Sequence, residues 1–458
     1  MGGAKKKLGF FDILALAFSS VFSLELISSQ AKLGPSLIFN FLFIGLTYFL
    51  SHGLICAELG STYPDQGGIY VWVKRAYGDK WAARTTWWYW LNVAGFIPAT
   101  AVVMVSIIKE MFLPNLSVWG IVGICILCVW FVVFFNCIDL QKAKWLPIIS
   151  SISKIAVTLV LLVGGLYYTF TQGVNHSFAS DSFLPSFNLS FVALIPVYVY
   201  SVTGFDLISC SAGEMDNPSK NVPKTVFLSG FFTILFYILA ATAILVVLPI
   251  STISETSGLF DTVVAMFGSK WLVNMIGMVT FVGFLGYVFG WALGGNKVAL
   301  EAGEGGELPK FFAKTNQSYA PVGSAILLGI VSTALLIFYG VTASTSENLF
   351  WTLLAFTSII FFLPYIVMSF TFLKLRRLDP AIERPFKVPF GKPVAYLVAG
   401  VHCFFLIFSS FSFLLPPEGE EPLLYVASLI IGLLLSIGCG EWLIHYAMKS
   451  AKTEILDI

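Results

Sequence analysis

The sequence predicts an all-α integral membrane protein, and three observations predict it. Hydrophobic residues fill 57% of the 458 positions and charged residues 11%, against about 25% charged in a typical soluble domain. Twelve apolar runs reach the length of about 20 residues that a membrane-crossing helix needs. Lys and Arg are sorted to alternate connections between those runs, as the positive-inside rule requires. A net charge of +1 gives no reason to expect a nucleic-acid partner; the partners expected are a lipid bilayer and a small molecule.

In chain order the runs are 9–31, 36–58, 85–112, 118–138, 147–171, 191–213, 225–249, 271–300, 320–341, 349–373, 393–415 and 423–447. The first is too long, and too poor in a small-residue cleavage site, to read as a removable signal peptide. The third and eighth are long enough to tilt or to project past the bilayer. With the N-terminus inside, 22 of the 26 Lys and Arg residues fall on inner segments; the other four are Lys32, Lys109, Lys270 and Lys154. Both termini are therefore expected in the cytoplasm, with the protein in the cell membrane. Within the outer connection 250–270, the stretch from Leu259 to Phe267 is amphipathic and is expected to lie as a short surface helix. A single membrane domain is expected over 1–458. A homodimer is compatible with the sequence, which does not fix oligomeric state.

Two of the runs are interrupted where a membrane helix should be most regular, and each interruption carries a carboxylate. Run one reads Leu16-Ala17-Phe18-Ser19-Ser20-Val21-Phe22-Ser23-Leu24-Glu25, and run six reads Tyr200-Ser201-Val202-Thr203-Gly204-Phe205-Asp206. A charge at the bilayer centre costs about 2.5–3.5 kcal/mol on insertion scales, so such residues are functional candidates. Paired interruptions in corresponding halves point to the central binding site of a secondary carrier. The two lie five runs apart. Because five is odd, a second copy enters from the opposite side, which predicts an inverted five-plus-five repeat: 1–171, then 191–373, with 393–447 as two additional helices.

No enzymatic arrangement is present. The seven cysteines lie almost entirely in apolar runs, where they serve as small packing residues. Cys125 and Cys128 have metal-like spacing but no second pair and no nearby His, so no metal is expected. The four histidines are scattered, and no Ser/His/Asp or HExxH pattern occurs. No cofactor is expected.

Several segments resemble the amino acid–polyamine–organocation (APC) superfamily. Ala57-Glu58-Leu59-Gly60-Ser61-Thr62-Tyr63-Pro64-Asp65-Gln66-Gly67-Gly68-Ile69-Tyr70-Val71-Trp72-Val73 is similar to its "AELG…YP…GG.Y.W" signature. Gly213-Glu214-Met215-Asp216-Asn217-Pro218-Ser219-Lys220-Asn221-Val222-Pro223-Lys224 and Leu308-Pro309-Lys310-Phe311-Phe312-Ala313 resemble two further anchors, in the expected order. Gly95-Phe96-Ile97-Pro98 and Phe413-Leu414-Leu415-Pro416-Pro417-Glu418 look closest to the glutamate/GABA antiporter branch, which includes agmatine/putrescine antiporters. The resemblance implies a LeuT-like fold of twelve transmembrane helices, with helices 1 and 6 unwound at the centre.

The candidate site residues are Ser23, Glu25, Tyr200, Thr203, Asp206, Trp291 and Ser358 for substrate, with Lys154 for coupling. Glu25 either snorkels outward, pairing with Lys32, or serves substrate or proton. Lys32 at i+7 would be about 10 Å away on a continuous helix. Asp206 either caps freed backbone amides or acts in proton sensing or gating, as the family's "G-[VF]-[ED]" implies. Tyr200 and Trp291 resemble by position two aromatics that close over substrate in arginine/agmatine relatives, with Tyr200 standing where Trp is usual. Lys154 either snorkels to the inner surface or, as the resemblance implies, takes the place of a sodium ion and neutralises freed carbonyls of helix 1. Ser23, Thr203 and Ser358 are small polar residues beside the expected cavity.

Two carboxylates in the site would repel an anionic substrate and welcome an amine or diamine, and an empty site would occlude unpaired charge, which favours exchange. The sequence thus predicts a carrier exchanging amino acids or their decarboxylated amines, agmatine and putrescine being the best single choice. A glutamate/GABA-type or other amino-acid antiporter, or a proton-coupled amino-acid symporter, is the alternative.

Overall fold

The computed structural model describes residues 10–64, 67–138, 145–175, 183–186, 188–210, 217–417 and 420–456. Asp65-Gln66, Gly213-Glu214-Met215-Asp216 and Glu418, parts of three motifs above, lie outside the described residues, as do Lys142 and Lys144. The described residues form helices joined by short connections, with no strand among them. Ten helices are long and apolar enough to cross a membrane. They are α3 (Gly34–Thr62), α5 (Asp79–Phe112), α6 (Val118–Asn136), α7 (Trp145–Gln172), α10 (Pro218–Val247), α12 (Lys270–Glu304), α13 (Val322–Thr342), α14 (Ser346–Leu378), α15 (Gly391–Ser412) and α16 (Pro422–Leu456).

Runs one and six are absent from those ten because each is broken. Run one is α1 (Phe10–Val21), a 3₁₀ turn at Leu24–Leu26 and α2 (Ile27–Ala31); run six is α8 (Leu189–Ser201) and α9 (Leu207–Cys210). Two shorter helices lie between spans, α4 (Ile69–Tyr77) and α11 (Gly258–Phe267), the latter at the amphipathic stretch read from the sequence.

Local chemistry sets several helix starts. Ser117, Asn188 and Thr345 each accept a bond from a backbone N–H in the first turn of α6, α8 and α14. Each pairs a donor that has no intrahelical partner. Helix position then follows from which face must be covered. In the most apolar stretch of α5, 94% is buried inside the protein, against 33% in α6 and 28% in α16. Helices α5 and α14 therefore form the interior, while α6 and α16 turn Leu127, Phe134, Leu434 and Trp442 outward, as lipid-facing helices do. Helices α3 and α10 approach closely because residue 230 is glycine: a Cβ there would come within 1.9 Å of the Phe49 ring.

The family-like motifs prove to be joints between helices. Glu58, at the end of α3, is buried and accepts from Arg376 Nε at 2.7 Å, from Arg376 Nη2 and from Val388 N at 2.7 Å. Such pairing offsets the cost of burying the charge, and this carboxylate ties α3 to α14 and to the segment before α15. Nearby, Asp379 Oδ2 accepts from Arg75 Nε at 2.7 Å and from Tyr63 Oη at 2.8 Å, which holds its carboxyl below the usual carboxylate range. Phe312 of the third anchor stacks edge-on against Trp90 of α5.

Candidate substrate-binding site

Breaking a helix exposes backbone groups that lipid cannot satisfy, so where those groups go defines the site. At the first break, Phe22 N still closes on Phe18 O at 2.8 Å. Ser23 is then extended (φ −112°, ψ 107°) and the chain resumes as the 3₁₀ turn. Its freed groups are met by side chains from three other helices. Lys154 Nζ of α7 donates to Phe22 O at 2.7 Å, Trp291 Nε1 of α12 donates to Ser20 O at 3.0 Å, and Ser23 N donates to Tyr237 Oη of α10 at 2.8 Å.

Lys154 is fully buried, which removes the snorkelling alternative. Its Nζ also lies 3.2 Å from the centroid of the Tyr287 ring, a cation–π contact. Tyr287 Oη and Ser23 Oγ share a hydrogen bond of 2.5 Å. Lys154 is thus tied both to the backbone of the break and to an aromatic wall beside it.

At the second break the backbone bonds that form are local. Val202 N reaches Val199 O at 3.3 Å, Thr203 N reaches Tyr200 O at 3.1 Å and Leu207 N reaches Gly204 O at 3.2 Å. Thr203 Oγ1 donates to Val199 O at 2.7 Å and shares a hydrogen bond of 2.7 Å with Tyr48 Oη. Gly204 is required by its φ of +108°, a conformation that side chains disfavour; a Cβ there would only touch the Trp291 ring, at 3.5 Å. Asp206 Oδ1 accepts from Tyr365 Oη at 2.6 Å, and Oδ2 has no partner among the described residues.

Between the breaks lies a cavity lined by Ser20, Val21, Ser23, Asn92, Phe96, Tyr200, Thr203, Tyr287, Trp291 and Phe361. Its aromatic walls support one another: Tyr200 and Phe361 have centroids 5.5 Å apart, Trp291 and Phe361 6.0 Å, and Phe96 and Trp291 5.9 Å. About 10 Å³ is free, room for little more than one water molecule, so the site is contracted. Chemically it offers aromatic faces and hydroxyls, a combination suited to an organic cation at roughly 0.5–2 kcal/mol per cation–π contact.

Of the residues singled out from sequence, Ser23, Tyr200, Thr203 and Trp291 meet on this cavity. Glu25, Asp206 and Ser358 are buried but do not line it. Glu25 lines a second small cavity with Ser28, Glu255, Thr256, Leu259 and Phe260. Neither of its carboxylate oxygens has a hydrogen-bond partner among the described residues. Lys32 is not its mate, for Lys32 Nζ bonds Glu255 Oε1 at 2.9 Å. The Ser358 hydroxyl likewise has no partner among the described residues.

Sequence reasoning missed Tyr237, Tyr287, Phe361 and Tyr365. A signal existed for two of them: Tyr287 precedes Trp291 by four residues and Phe361 follows Ser358 by three, which places each on one helix face. It also missed that two of the four histidines meet. His52 Nδ1 and His402 Nε2 lie 3.0 Å apart, and His402 Nδ1 lies 2.7 Å from Ser369 Oγ. Residues 350 positions apart give no such signal in a single sequence.

Comparison with known proteins agrees with this architecture. A family model of amino acid permeases matches residues 8–435. The chain is 29% identical to a probable agmatine/putrescine antiporter of Lactococcus lactis, over 98% of this chain and 97% of that protein. It is 23% identical to a glutamate/gamma-aminobutyrate antiporter of the same species, over 90% and 84% respectively. A probable polyamine transporter of Arabidopsis thaliana is 25% identical, over 84% and 75%. With nearly the whole chain matched and its apolar helices packed around two broken ones, the protein belongs to the amino acid permease family of the APC superfamily, a family of multi-pass membrane transporters.

Proposed function

We propose that the protein is an antiporter that exchanges cationic amines, agmatine against putrescine, by alternating access. The observation that carries this reading is the contracted, aromatic-walled cavity between two broken helices. The near full-length similarity to an agmatine/putrescine antiporter supports it. In this reading the two broken runs cross the membrane with the ten long helices, giving twelve crossings with both termini in the cytoplasm. Residues 1–171 and 191–373 are the inverted repeats, and 393–447 adds two helices. All residues used come from one chain, so the reading does not call on a homodimer.

Substrate ammonium lies against Tyr200 and Trp291, with Ser23 and Thr203 supplying hydroxyls. Lys154 stands in for a sodium ion by neutralising Phe22 O, and thereby reports the state of the first break to α7. Asp206, held by Tyr365, acts as the gating carboxylate of the second break, and Ser358 on α14 supplies a hydroxyl as the cavity widens. A site that closes empty would bury the Glu25 carboxylate with neither oxygen hydrogen-bonded, a cost that slows return without substrate and favours exchange.

Proteoliposome counterflow tests the reading. Putrescine preloaded inside should leave rapidly only when agmatine or putrescine is outside. Equal efflux into amine-free buffer would overturn exchange. Proton-coupled amino-acid symport is the second reading, favoured by the buried His52–His402 contact and the Asp206–Tyr365 bond. It predicts amino-acid accumulation driven by an imposed pH gradient alone.

A further inference from the structure

The second cavity offers what the first lacks. Its wall contains Glu25, 3% exposed, whose two oxygens accept no hydrogen bond from any described residue. Lys154 is the nearby cation and attracts the Glu25 carboxylate through space, while it donates a hydrogen bond to Phe22 O and its ammonium lies over the Tyr287 ring. Ser28 and Thr256 add hydroxyls, and Leu259 and Phe260 add apolar surface. At the same cavity the ammonium of Lys32 is bonded to Glu255, so this wall already accepts one primary ammonium. Glu25 is two residues from Ser23, which lines the central cavity, so their Cα atoms are at most about 7 Å apart. The 3₁₀ turn Leu24–Leu26 follows Ser23 directly and gives Leu24 and Glu25 to the second cavity.

We propose that the Glu25 cavity is the second-ammonium subsite of a two-point site for linear dications. One ammonium stays among the aromatic rings and the other is accepted by Glu25, the hydroxyls of Ser28 and Thr256 completing its shell. Leu259 and Phe260 cover the methylenes between them. This inference rests on the amine reading above and adds to it a selectivity: the subsite makes the protein prefer diamines over monoamines of equal length. It also makes Glu25 the ruler for chain length.

The test is binding of 1,4-diaminobutane, 1,5-diaminopentane and 1-butylamine to the purified full chain, measured by calorimetry, with Glu25→Gln and Glu25→Asp as variants. The unaltered protein should prefer 1,4-diaminobutane over 1-butylamine by about 10- to 100-fold, the equivalent of one charge-assisted hydrogen bond. Glu25→Gln should erase that preference while leaving 1-butylamine binding unchanged. Glu25→Asp withdraws the carboxylate by one methylene and should shift preference toward 1,5-diaminopentane. Equal weakening of monoamine and diamine by Glu25→Gln, or a diamine preference that survives it, overturns the subsite. Should Glu25→Gln not fold, as its amine-free melting will show, an unchanged length preference in Glu25→Asp overturns it instead. If the unaltered protein binds monoamine and diamine alike, the subsite fails while the amine reading stands. If it binds no amine, the amine reading itself fails.

Discussion

The two breaks flank one cavity yet are held in opposite ways. Every freed group named at the first break is paired by a side chain at least 132 residues away: Lys154, Trp291 and Tyr237, from three different helices. The backbone bonds that the second break makes are turns within residues 199–209, and only its side chains reach out, to Tyr48 and Tyr365. The first break therefore exists only while α7, α10 and α12 stand where they do. The second is written into its own sequence, with Gly204 as its hinge. In an alternating-access carrier this makes the first break the reader of helix positions and the second the stable platform.

The largest way to test that contrast is Lys154→Met. It removes a buried ammonium, leaves Phe22 O without its donor and takes the cation from the Tyr287 ring. Removing one partner from a buried charged arrangement costs about 3–5 kcal/mol. Melting in detergent should fall accordingly and counterflow should vanish. A variant with unaltered melting and exchange would show that the first break does not depend on its distant donors.

Tyr365→Phe acts on the second break from outside and should cost less. It deletes the bond to Asp206 Oδ1, and a hydrogen bond to a carboxylate contributes about 1.5–3 kcal/mol. The backbone turns remain, so the protein should still bind amine by calorimetry while the exchange rate drops. Complete loss of binding would place Asp206 in direct contact with substrate, against the contrast drawn here. Gly204→Ala comes next. It forces a Cβ onto a φ of +108°, a strain of about 1–3 kcal/mol. Reduced melting with weakened amine binding is expected, and unchanged melting would show that the hinge relaxes into an ordinary conformation.

Much of the fold was legible because bilayer thickness imposes run length, and both breaks were legible because polar residues in such runs are costly. Ser23, Tyr200, Thr203 and Trp291 could be assigned together because the breaks and the family-like spacing converge on them. The residues that pair the first break were another matter. Tyr237 sits in an apolar helix rich in aromatics, and only its long-range bond to Ser23 distinguishes it, while Tyr287 had no more than its spacing from Trp291 to mark it. Glu25 was legible as costly but not as separate from the central cavity, because that depends on the 3₁₀ turn rotating it onto a different cavity. Hydropathy has no term for such a rotation.

The smallest effect is the most discriminating. Thr203→Val alone leaves the buried Tyr48 hydroxyl unpaired, a cost of about 1–3 kcal/mol. Adding Tyr48→Phe removes the stranded group, and replacing both partners by apolar groups of similar shape is nearly neutral. The double variant should therefore melt within about 1 kcal/mol of the unaltered protein, because Val199 O keeps its bond from Val202 N. No complete rescue exists at the first break. Lys154→Met strands both the Glu25 charge, which Glu25→Gln could remove, and the Phe22 carbonyl, which no substitution can delete, so a second change cannot restore all that was lost. If Thr203→Val with Tyr48→Phe stays as unstable as Thr203→Val alone, the second break leans on distant partners as the first does, and the distinction between reader and platform falls.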